Sequence, residues 1–473
     1  MQSHQARRDP TPYPVLTLPP EITSEIFLCC LPETREFDVL NPKEAPLLLT
    51  HVCGAWRQIA IATPQLWTAF YIAEENGFFD DLGNVAETWF TRAGICELSV
   101  KFHGSVTDGT DFASLLPVLR RYERDVHSLE LYVDVGDLVM IDPPLECVSL
   151  QKLTIGILID SEELPSSSLP LELFDTDLPL LREVLLSAAA LSFLALPWQQ
   201  LTKFTGELYH ARDCLEALRA MPDLIECAFA AWRDDARDSD EIFHHPNIQH
   251  FTVLGRLTFD ANAASVDILG HVTLPALRTL EIKDVDDFNA STLDSFLLRS
   301  AAPLQKLVIC PSEGDEVTEI ILSDTFLALP LTELEIWRPS INEDNLPPLL
   351  DHLARDANAL PWLRNLSFRD CDFWMPLGAV VDNAALLVTQ RRHLAGCQLL
   401  RSFHLVARMR RDASSDTLTS EATDAFENLK ESGMDIYIRV FHTSLFGAQL
   451  GPNLTPNFDR NLAKLDSKLG RDV

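Results

Sequence analysis

One short apolar phrase recurs through most of this 473-residue chain and constrains its fold more than any other feature. The phrase usually reads L-x-x-L-x-L, often with a proline just ahead of it, and successive copies lie roughly 20 to 37 residues apart. Each copy alternates apolar and polar positions with a period of two, which is typical of a short strand. The twelve copies are ICELSV (from Ile95), VHSLEL (Val126), LQKLTI (Leu150), LREVLL (Leu181), LTKFTG (Leu201), LIECAF (Leu224), IQHFTV (Ile248), LRTLEI (Leu277), LQKLVI (Leu304), LTELEI (Leu331), LRNLSF (Leu363) and LRSFHL (Leu400).

Many segments between these copies carry helical patterns, such as HARDCLEALRAMP and STLDSFLLRSAAP. One strand–helix unit cannot cover its own apolar face, whereas stacked units bury a continuous core. The spacing overlaps the range of leucine-rich repeats, although it is irregular and only LRNLSFRDC continues to a cysteine at the expected place, Cys371. We therefore predict an α/β fold over residues 90–445, an irregular leucine-rich-repeat solenoid with a curved parallel sheet, whose last strand is MDIYIRV, Met434 to Val440.

The first 70 or so residues have a different pattern, in which apolar residues recur at helical spacing. In LTLPPEITSEIFLCCL, Ile22 and Ile26 lie on one face of a helix. A connector rich in charge and proline, PETREFDVLNPKEAP, separates this helix from a second one that carries Val52 and Trp56 on one face. We predict a small helical domain over residues 15–72, with little core of its own and with apolar surface left for a partner.

The charge of the chain argues against two classes of partner. There are 38 lysine and arginine residues against 70 aspartate and glutamate residues, a formal net charge of −32. Such a field repels phosphate backbones and anionic lipid, so we expect neither nucleic acid nor a membrane surface as a partner, and a basic protein target is mildly favoured. The longest apolar stretch, VLLSAAALSFLALPW from Val184, is too short and too interrupted to span a bilayer.

The cysteines and the two ends of the chain indicate where the protein resides. Ten cysteines show no regular framework, which favours reduced thiols in a reducing compartment. The opening MQSHQARRDPTPYP has no apolar stretch of the kind found in a signal peptide. We expect a disordered tail over residues 1–14, a polar C-terminal tail over residues 446–473, and a cytoplasmic or nuclear protein.

No set of residues predicts catalysis, a cofactor or a metal site. The chain contains no G-x-x-x-x-G-K-[ST], G-x-G-x-x-G, G-x-S-x-G or H-E-x-x-H. Five residues that could bind zinc come near one another in sequence, but their spacing matches no zinc pattern: His210, Cys214, Cys227, His244 and His245. We therefore expect a protein that is not an enzyme and holds neither a cofactor nor a metal.

The N-terminal motifs together resemble an F-box, in the F-box-like form common in mushroom-forming fungi. The resemblance covers about 55 residues, and a leucine-rich region after an F-box is a familiar arrangement. The matching positions are Leu18, Pro19, Glu21 and Ile22 in the opening, then Ile26 and Phe27, then Val52, Cys53, Trp56 and Arg57, and finally Thr63, Pro64, Leu66 and Trp67.

This resemblance implies an adaptor role in ubiquitin ligation. An F-box packs against the Skp adaptor protein of a cullin–RING ubiquitin ligase of the SCF type, and the following domain recruits the protein to be ubiquitinated. Buried aliphatic and aromatic anchors carry most of the energy of such an interface. Carried over position by position, the resemblance assigns adaptor binding to Leu18, Pro19, Ile22, Ile26, Phe27, Val52, Cys53 and Trp56.

Three alternatives remain open at this point. The connector before the second helix is longer than in the usual F-box, so the chain could instead be an F-box-like scaffold that binds a protein partner without assembling a ligase. Some of the matching residues, Trp56 above all, could only hold the helices of the domain together. An enzyme whose motifs are not recognisable would require a deep polar pocket with perturbed ionisable groups.

The target surface is expected on the open face of the sheet. Residues between the core leucines of four late strands would point to this face: Thr279, Glu281, Lys283, Lys306, Val308, Glu333, Glu335, Trp337, Asn365, Ser367 and Arg369. Because exposed tryptophan and arginine are enriched at interfaces, we predict Glu335, Trp337 and Arg369 as target-binding residues. A tryptophan at this position could also pack against the neighbouring repeat. The sequence does not identify the target, any modification that the target must carry, or the oligomeric state.

Overall fold

The computed structural model describes most of the chain between residues 17 and 442. The described residues are 17–32, 39, 41–72, 82–104, 110–158, 170–175, 177–232, 242–254, 267–285, 290–311, 323–337, 340–341, 346–373, 377–391, 393–394, 400–409, 420–431 and 433–442. The predicted tails, 1–14 and 446–473, lie outside them.

The described residues form two compact units. The first contains the described residues up to Leu181 together with Ser192–Leu196, and the second contains Arg182–Leu191 and the described residues from Pro197 onward. Each unit is built on a parallel sheet, so the fold is mixed α/β as predicted.

The first unit begins with helices and continues as alternating strands and helices. Its sheet has the order β1-β2-β3-β4, and its β1–β2–β3–β4 pairs are parallel. Its elements are α1 (Pro20–Leu28), α2 (Leu47–Val52), α3 (Gly54–Ile61), a 3₁₀ turn (Pro64–Trp67), β1 (Ala69–Ile72), α4 (Leu82–Ala93), β2 (Leu98–His103), α5 (Thr110–Tyr122), β3 (Val126–Val133), α6 (Val135–Val139) and β4 (Lys152–Ile157).

The second unit repeats the strand–helix alternation. Its sheet has the order β5-β6-β7-β9-β11-β12-β13-β15-β16-β17, with β14 beside β15, while β8 and β10 form a separate pair. Its elements are β5 (Glu183–Ser187), β6 (Lys203–His210), α7 (Ala211–Ala220), β7 (Glu226–Trp232), β8 (Phe243–His244), β9 (His250–Leu254), α8 (Asp267–His271), β10 (Val272–Thr273), β11 (Thr279–Val285), α9 (Ala290–Ser300), β12 (Lys306–Pro311), α10 (Asp324–Leu327), β13 (Glu333–Trp337), β14 (Ser340–Ile341), α11 (Leu346–Arg355), β15 (Asn365–Phe373), α12 (Leu377–Arg391), β16 (Ser402–Met409), α13 (Ser420–Glu431) and β17 (Asp435–His442).

All twelve copies of the apolar phrase, and MDIYIRV after them, contribute strands. In LRTLEI the side chains of Leu277, Leu280 and Ile282 are buried, and the apolar positions of most other copies behave in the same way. The copy ICELSV differs, because Ile95 is 98% exposed and only Leu98 and Val100 enter the core. The period-two pattern therefore predicted the strands correctly, but it did not predict that Ile95 is exposed.

The predicted second helix is two helices. Cys53 has an extended backbone (φ −160°, ψ 170°), which ends α2 at Val52. The Cys53 Sγ atom then accepts a hydrogen bond from the backbone N–H of Trp56 at 3.5 Å and caps the N-terminus of α3.

The N-terminal helices are packed onto the first strand–helix unit by tryptophans. The rings of Trp67 and Trp89 meet edge to face with centroids 4.7 Å apart. Both indole N–H groups donate to backbone carbonyls, that of Trp67 to Ala60 O and that of Trp89 to Ala69 O, each at 2.9 Å. The described residues up to Leu181 fall within one compact unit, and the helical domain over residues 15–72 stays a prediction.

Candidate functional site

Helix α1 carries an exposed apolar stripe. Leu18, Ile22 and Ile26 follow one another at four-residue steps, so they line one side of the helix and the turn before it. Their side chains are 38%, 50% and 42% exposed. Pro19, at the start of the helix, is exposed as well. Clustered exposed apolar side chains of this kind mark interaction surfaces more often than isolated ones do.

A neighbouring side of α1 faces the protein interior. Thr23 and Phe27, also four residues apart, are buried there. The Ser24 hydroxyl lies 3.0 Å from the Thr63 hydroxyl, which connects α1 to the end of α3. Phe27 has no accessible surface with which to contact a partner. Phe27, to which the resemblance assigns adaptor binding, thus lies with its ring in the core of the first unit.

Trp56 lies between α1 and the rest of α3. Its ring meets that of Phe27 edge to face, with centroids 4.9 Å apart and an interplanar angle of 60°. The side chain is half-buried, and its indole N–H is buried with no hydrogen-bond partner among the described residues. Trp56 is thus an internal anchor that retains some exposed surface.

Helix α2 adds two more exposed apolar side chains. Leu48 and Val52 are 44% and 54% exposed, and they again lie four residues apart. Cys53, which the resemblance grouped with them, is half-buried and is engaged as the cap of α3. Arg57 donates from Nε to Thr50 O at 2.8 Å, so it braces α3 against α2.

Part of the long connector is built into the fold. The Val39 side chain is buried, and its backbone N–H donates to Tyr71 O of β1 at 3.2 Å. Ala45 and Pro46, just before α2, are buried too. At Val39 the connector pairs with the edge strand β1, and α1 keeps its exposed stripe.

The predicted target-binding residues form one contact group on the open face of the second unit. Trp337 of β13 is directly opposite Arg369 of β15 in the parallel register. The Arg369 guanidinium lies 5.5 Å from the centroid of the Trp337 ring, and its Nε lies 2.5 Å from Glu335 Oε1. Each of the three side chains therefore has a partner within the sheet. All three are half-buried and retain some accessible surface.

Other polar side chains of this face also form ion pairs. Lys306 Nζ lies 2.8 Å from Glu333 Oε1 on the next strand, and Lys283 Nζ lies 2.5 Å from Glu281 Oε2. Burial by itself lowers the pKa of Lys306, but the hydrogen bond and charge of Glu333 outweigh it and raise that pKa above its ordinary value. Of the predicted face residues, Val308 is buried rather than exposed.

Sequence reasoning missed a polar and aromatic cluster on the sheet of the first unit. His103 Nε2 and Lys101 Nζ both lie 2.9 Å from Glu130 Oε1. The His103 ring meets Tyr71 and Tyr132 edge to face, with centroids 5.4 and 4.5 Å apart. These residues alternate with core positions of β1, β2 and β3. The period of two therefore indicates that their side chains point away from the core. It does not indicate that residues on different strands come into contact.

The cluster stabilises the ionised form of its carboxylate. Burial by itself raises the pKa of Glu130, whereas the hydrogen bond from His103 and the ion pair with Lys101 lower it, and the pKa lies below its ordinary value. Tyr132 lies so close over Gly156 of β4 that a Cβ there would come within 2.1 Å of the ring. The glycine therefore leaves room for the tyrosine.

An open groove of about 580 Å³ lies where the strands of the second unit begin. It is lined by residues that precede β5, β6, β7, β9 and β11, among them Arg182, Thr202, Asp223, Asn247 and Gln249. These side chains are mostly uncharged, and the groove is open rather than deep.

Three of the five residues that could bind zinc, Cys214, Cys227 and His245, are buried in the core. Burial raises the pKa of the Cys214 and Cys227 thiols well above the ordinary value, which disfavours the thiolate form of both. His245 is buried, and its Nε2 lies 3.0 Å from Met221 O. Within the described ranges, no group of three or more potential ligands could hold a metal ion, and no helix is both long and apolar enough to cross a membrane.

The chain matches no protein-family model, and no curated protein is similar to it.

Proposed function

We propose that this protein is the substrate-recognition subunit of an SCF-type cullin–RING ubiquitin ligase and is not itself an enzyme. In this proposal the N-terminal helices form an F-box that binds the Skp adaptor. The strand–helix units form a curved leucine-rich-repeat solenoid that binds a target protein, with a basic target mildly favoured by the net charge of −32.

The exposed stripe Leu18–Ile22–Ile26 is the observation that carries the proposal. A helix of a monomeric domain ordinarily turns its apolar side to its own core. Helix α1 does so with Phe27 and still leaves Ile22 and Ile26 in solvent. A helix with exposed aliphatic side chains in a row can lay them into an apolar groove of a partner. In such a complex a few anchor residues carry most of the binding energy.

The remaining assigned residues divide into direct and supporting roles. Leu18, Pro19 and Val52 are exposed and suit direct contact with the adaptor. Trp56 supports the stripe by packing on Phe27, and Cys53 supports it by capping α3. For target binding we propose Glu335, Trp337 and Arg369, whose mutual contacts give a rigid and preorganised patch.

Capture of the full-length chain by recombinant Skp adaptor tests the adaptor role. The variant Ile22→Glu/Ile26→Glu places two charges in the stripe, where burial against a partner would require their desolvation. We expect the parent chain to be captured and the variant to lose at least about 100-fold in affinity, since two unpaired buried charges each cost several kcal/mol.

A matched control is Leu298→Glu, which changes another strongly exposed leucine on a helix of the second unit. It should bind the adaptor as the parent does, and all three chains should give the same circular dichroism spectrum. If the folded parent chain is not captured, the ligase assignment is wrong and the scaffold alternative replaces it.

A further inference from the structure

The residues that immediately precede β11, β12, β13, β15 and β16 form a regular row. The carbonyl of Thr332 accepts hydrogen bonds from the N–H groups of both Arg364 and Asn365, at 2.9 and 3.0 Å. The carbonyl of Arg364 in turn accepts from Arg401 and Ser402, at 2.7 and 3.1 Å. The same double acceptance occurs at Arg278 and Gln305. These contacts hold five successive positions side by side: Arg278, Gln305, Thr332, Arg364 and Arg401.

This row contains cations and neutral polar residues but no acid, in a chain with 70 acidic residues. Arg278 and Arg401 are exposed and Arg364 is half-buried. None of the three forms an ion pair within the part of the chain that the structure describes.

Two acids beside the row already have partners. Glu333, which follows Thr332, pairs with Lys306 at 2.8 Å. Asp435, beside Arg401 in the next strand, lies 2.9 Å from His404 Nε2. Glu333 therefore has a cationic partner and Asp435 a hydrogen-bonding partner. Neither carboxylate is ion-paired with Arg278, Arg364 or Arg401 among the described residues.

An exposed tryptophan stands at the same edge. Trp362, two residues before Arg364, is 52% exposed although it is the largest kind of apolar side chain. The turn before it passes through Leu360, whose φ of +46° is unusual for a leucine. Arg391, buried in α12, donates to the Ala359 and Leu360 carbonyls and holds this turn in place. Tryptophan and arginine are the side chains most enriched at binding hot spots.

We propose that the edge formed by Arg278, Trp362, Arg364 and Arg401 is a docking surface for an acidic peptide segment of a partner protein. It shares no residue with the stripe on α1 or with the patch around Trp337, and it stands whether or not the chain assembles a ubiquitin ligase. Guanidinium groups bind carboxylates in a bidentate manner, and an aromatic face beside them covers the apolar part of the peptide.

The dimensions of the edge suit an extended peptide. Strands lie about 4.8 Å apart, so the four steps from Arg278 to Arg401 span about 19 Å. A peptide of about six residues covers this distance. The net negative charge of the chain does not prevent docking at physiological salt, because the Debye length of about 8 Å screens the more distant acids.

Fluorescence anisotropy with the full-length chain tests the proposal. The probe is a labelled peptide of eight glutamates, and a glutamine peptide of the same length is the neutral probe. We expect the glutamate peptide to bind more tightly and its affinity to fall with rising salt. The variant Arg364→Gln/Arg401→Gln should weaken this binding about fivefold, because it removes two of the three guanidinium groups that pair with the carboxylates of the peptide.

The control variant Arg212→Gln/Arg355→Gln removes the same charge from two exposed helical arginines and should bind the glutamate peptide as the parent does. Trp362→Ala should weaken binding without changing the circular dichroism spectrum. The proposal is overturned if both double variants lose affinity equally, if the glutamine peptide binds as well, or if a single-stranded oligonucleotide of eight nucleotides is bound in preference.

Discussion

Asp137 is a buried carboxylate in the first turn of α6. Its backbone N–H donates to Asp134 Oδ1 at 2.9 Å, so the two carboxylates lie close together. Burial, reinforced by the negative charge of Asp134, raises the pKa of Asp137 to about 6. A carboxyl whose pKa is higher in the folded than in the unfolded protein binds its proton more tightly when folded. It therefore costs stability once the pH rises through the window between about 4 and 6.

Asp137→Asn should raise the free energy of unfolding at pH 7 by about 1–3 kcal/mol, because a shift of two pKa units corresponds to about 3 kcal/mol. The gain should vanish below about pH 4, where Asp137 is protonated in both states. Urea unfolding at pH 4, 5.5 and 7 measures this, with the exposed Asp223→Asn as the control. A gain that is the same at all three pH values would contradict the account.

Phe27 and Trp56 show that sequence spacing does not identify the buried residues of a short apolar helix. Ile22, Ile26 and Phe27 are all apolar and all lie on a short helix, so spacing alone does not tell which of them is buried. The contact with Trp56, 29 positions along the chain, decides it in favour of Phe27.

At the scale of elements, arginines in one helix cap the preceding helix. Arg391 at the end of α12 is buried, and its Nη1 donates to Leu353 O in α11 at 2.9 Å and to Ala359 O at 3.1 Å. Arg299 at the end of α9 donates in the same way to Leu269 O in α8 at 2.6 Å and to Val272 O at 3.0 Å. Terminal helix carbonyls lack intrahelical partners and carry the negative end of the helix dipole, so a guanidinium satisfies both needs.

Arg391→Met should lower the free energy of unfolding by about 3 kcal/mol or more, because it leaves several buried carbonyls without their charged donor. Arg391→Lys should cost less, since an ammonium can reach some of these carbonyls. Arg299→Met should also cost less, because Arg299 is only half-buried. Chemical denaturation of the three variants gives the comparison, and an Arg391→Met chain as stable as the parent would contradict the capping role.

For the whole molecule, the excess of 32 negative charges works against compactness. Like charges repel across the surface, and ion pairs such as Lys203 with Glu183 and Glu226 offset only part of this. Burial lowers the pKa of Lys203, but its partners outweigh burial and raise it.

Raising the ionic strength from about 0.01 M to 0.15 M should therefore raise the Tm, because the Debye length falls from about 30 Å to about 8 Å and screens the repulsion. Thermal unfolding followed by circular dichroism in sodium chloride measures the effect. A Tm that falls with salt would mean that the surface ion pairs outweigh the repulsion.

The sequence by itself determined the strands and the parallel α/β class. Period-two alternation is a local property, and each copy of the phrase, such as LRTLEI from Leu277, carries it without help from its neighbours. It also indicated apolar surface on the first helix.

Only the tertiary structure decided which side of α1 is buried, where α2 ends, that Ile95 is exposed, and that Arg369 pairs with Glu335. It also brought Arg278, Arg364 and Arg401 into one row. The physical reason is that residues paired in a parallel sheet lie roughly 20 to 40 positions apart in sequence, because a helix or a long connection must intervene. Their register, and the contacts that follow from it, exist only once the strand–helix units have stacked.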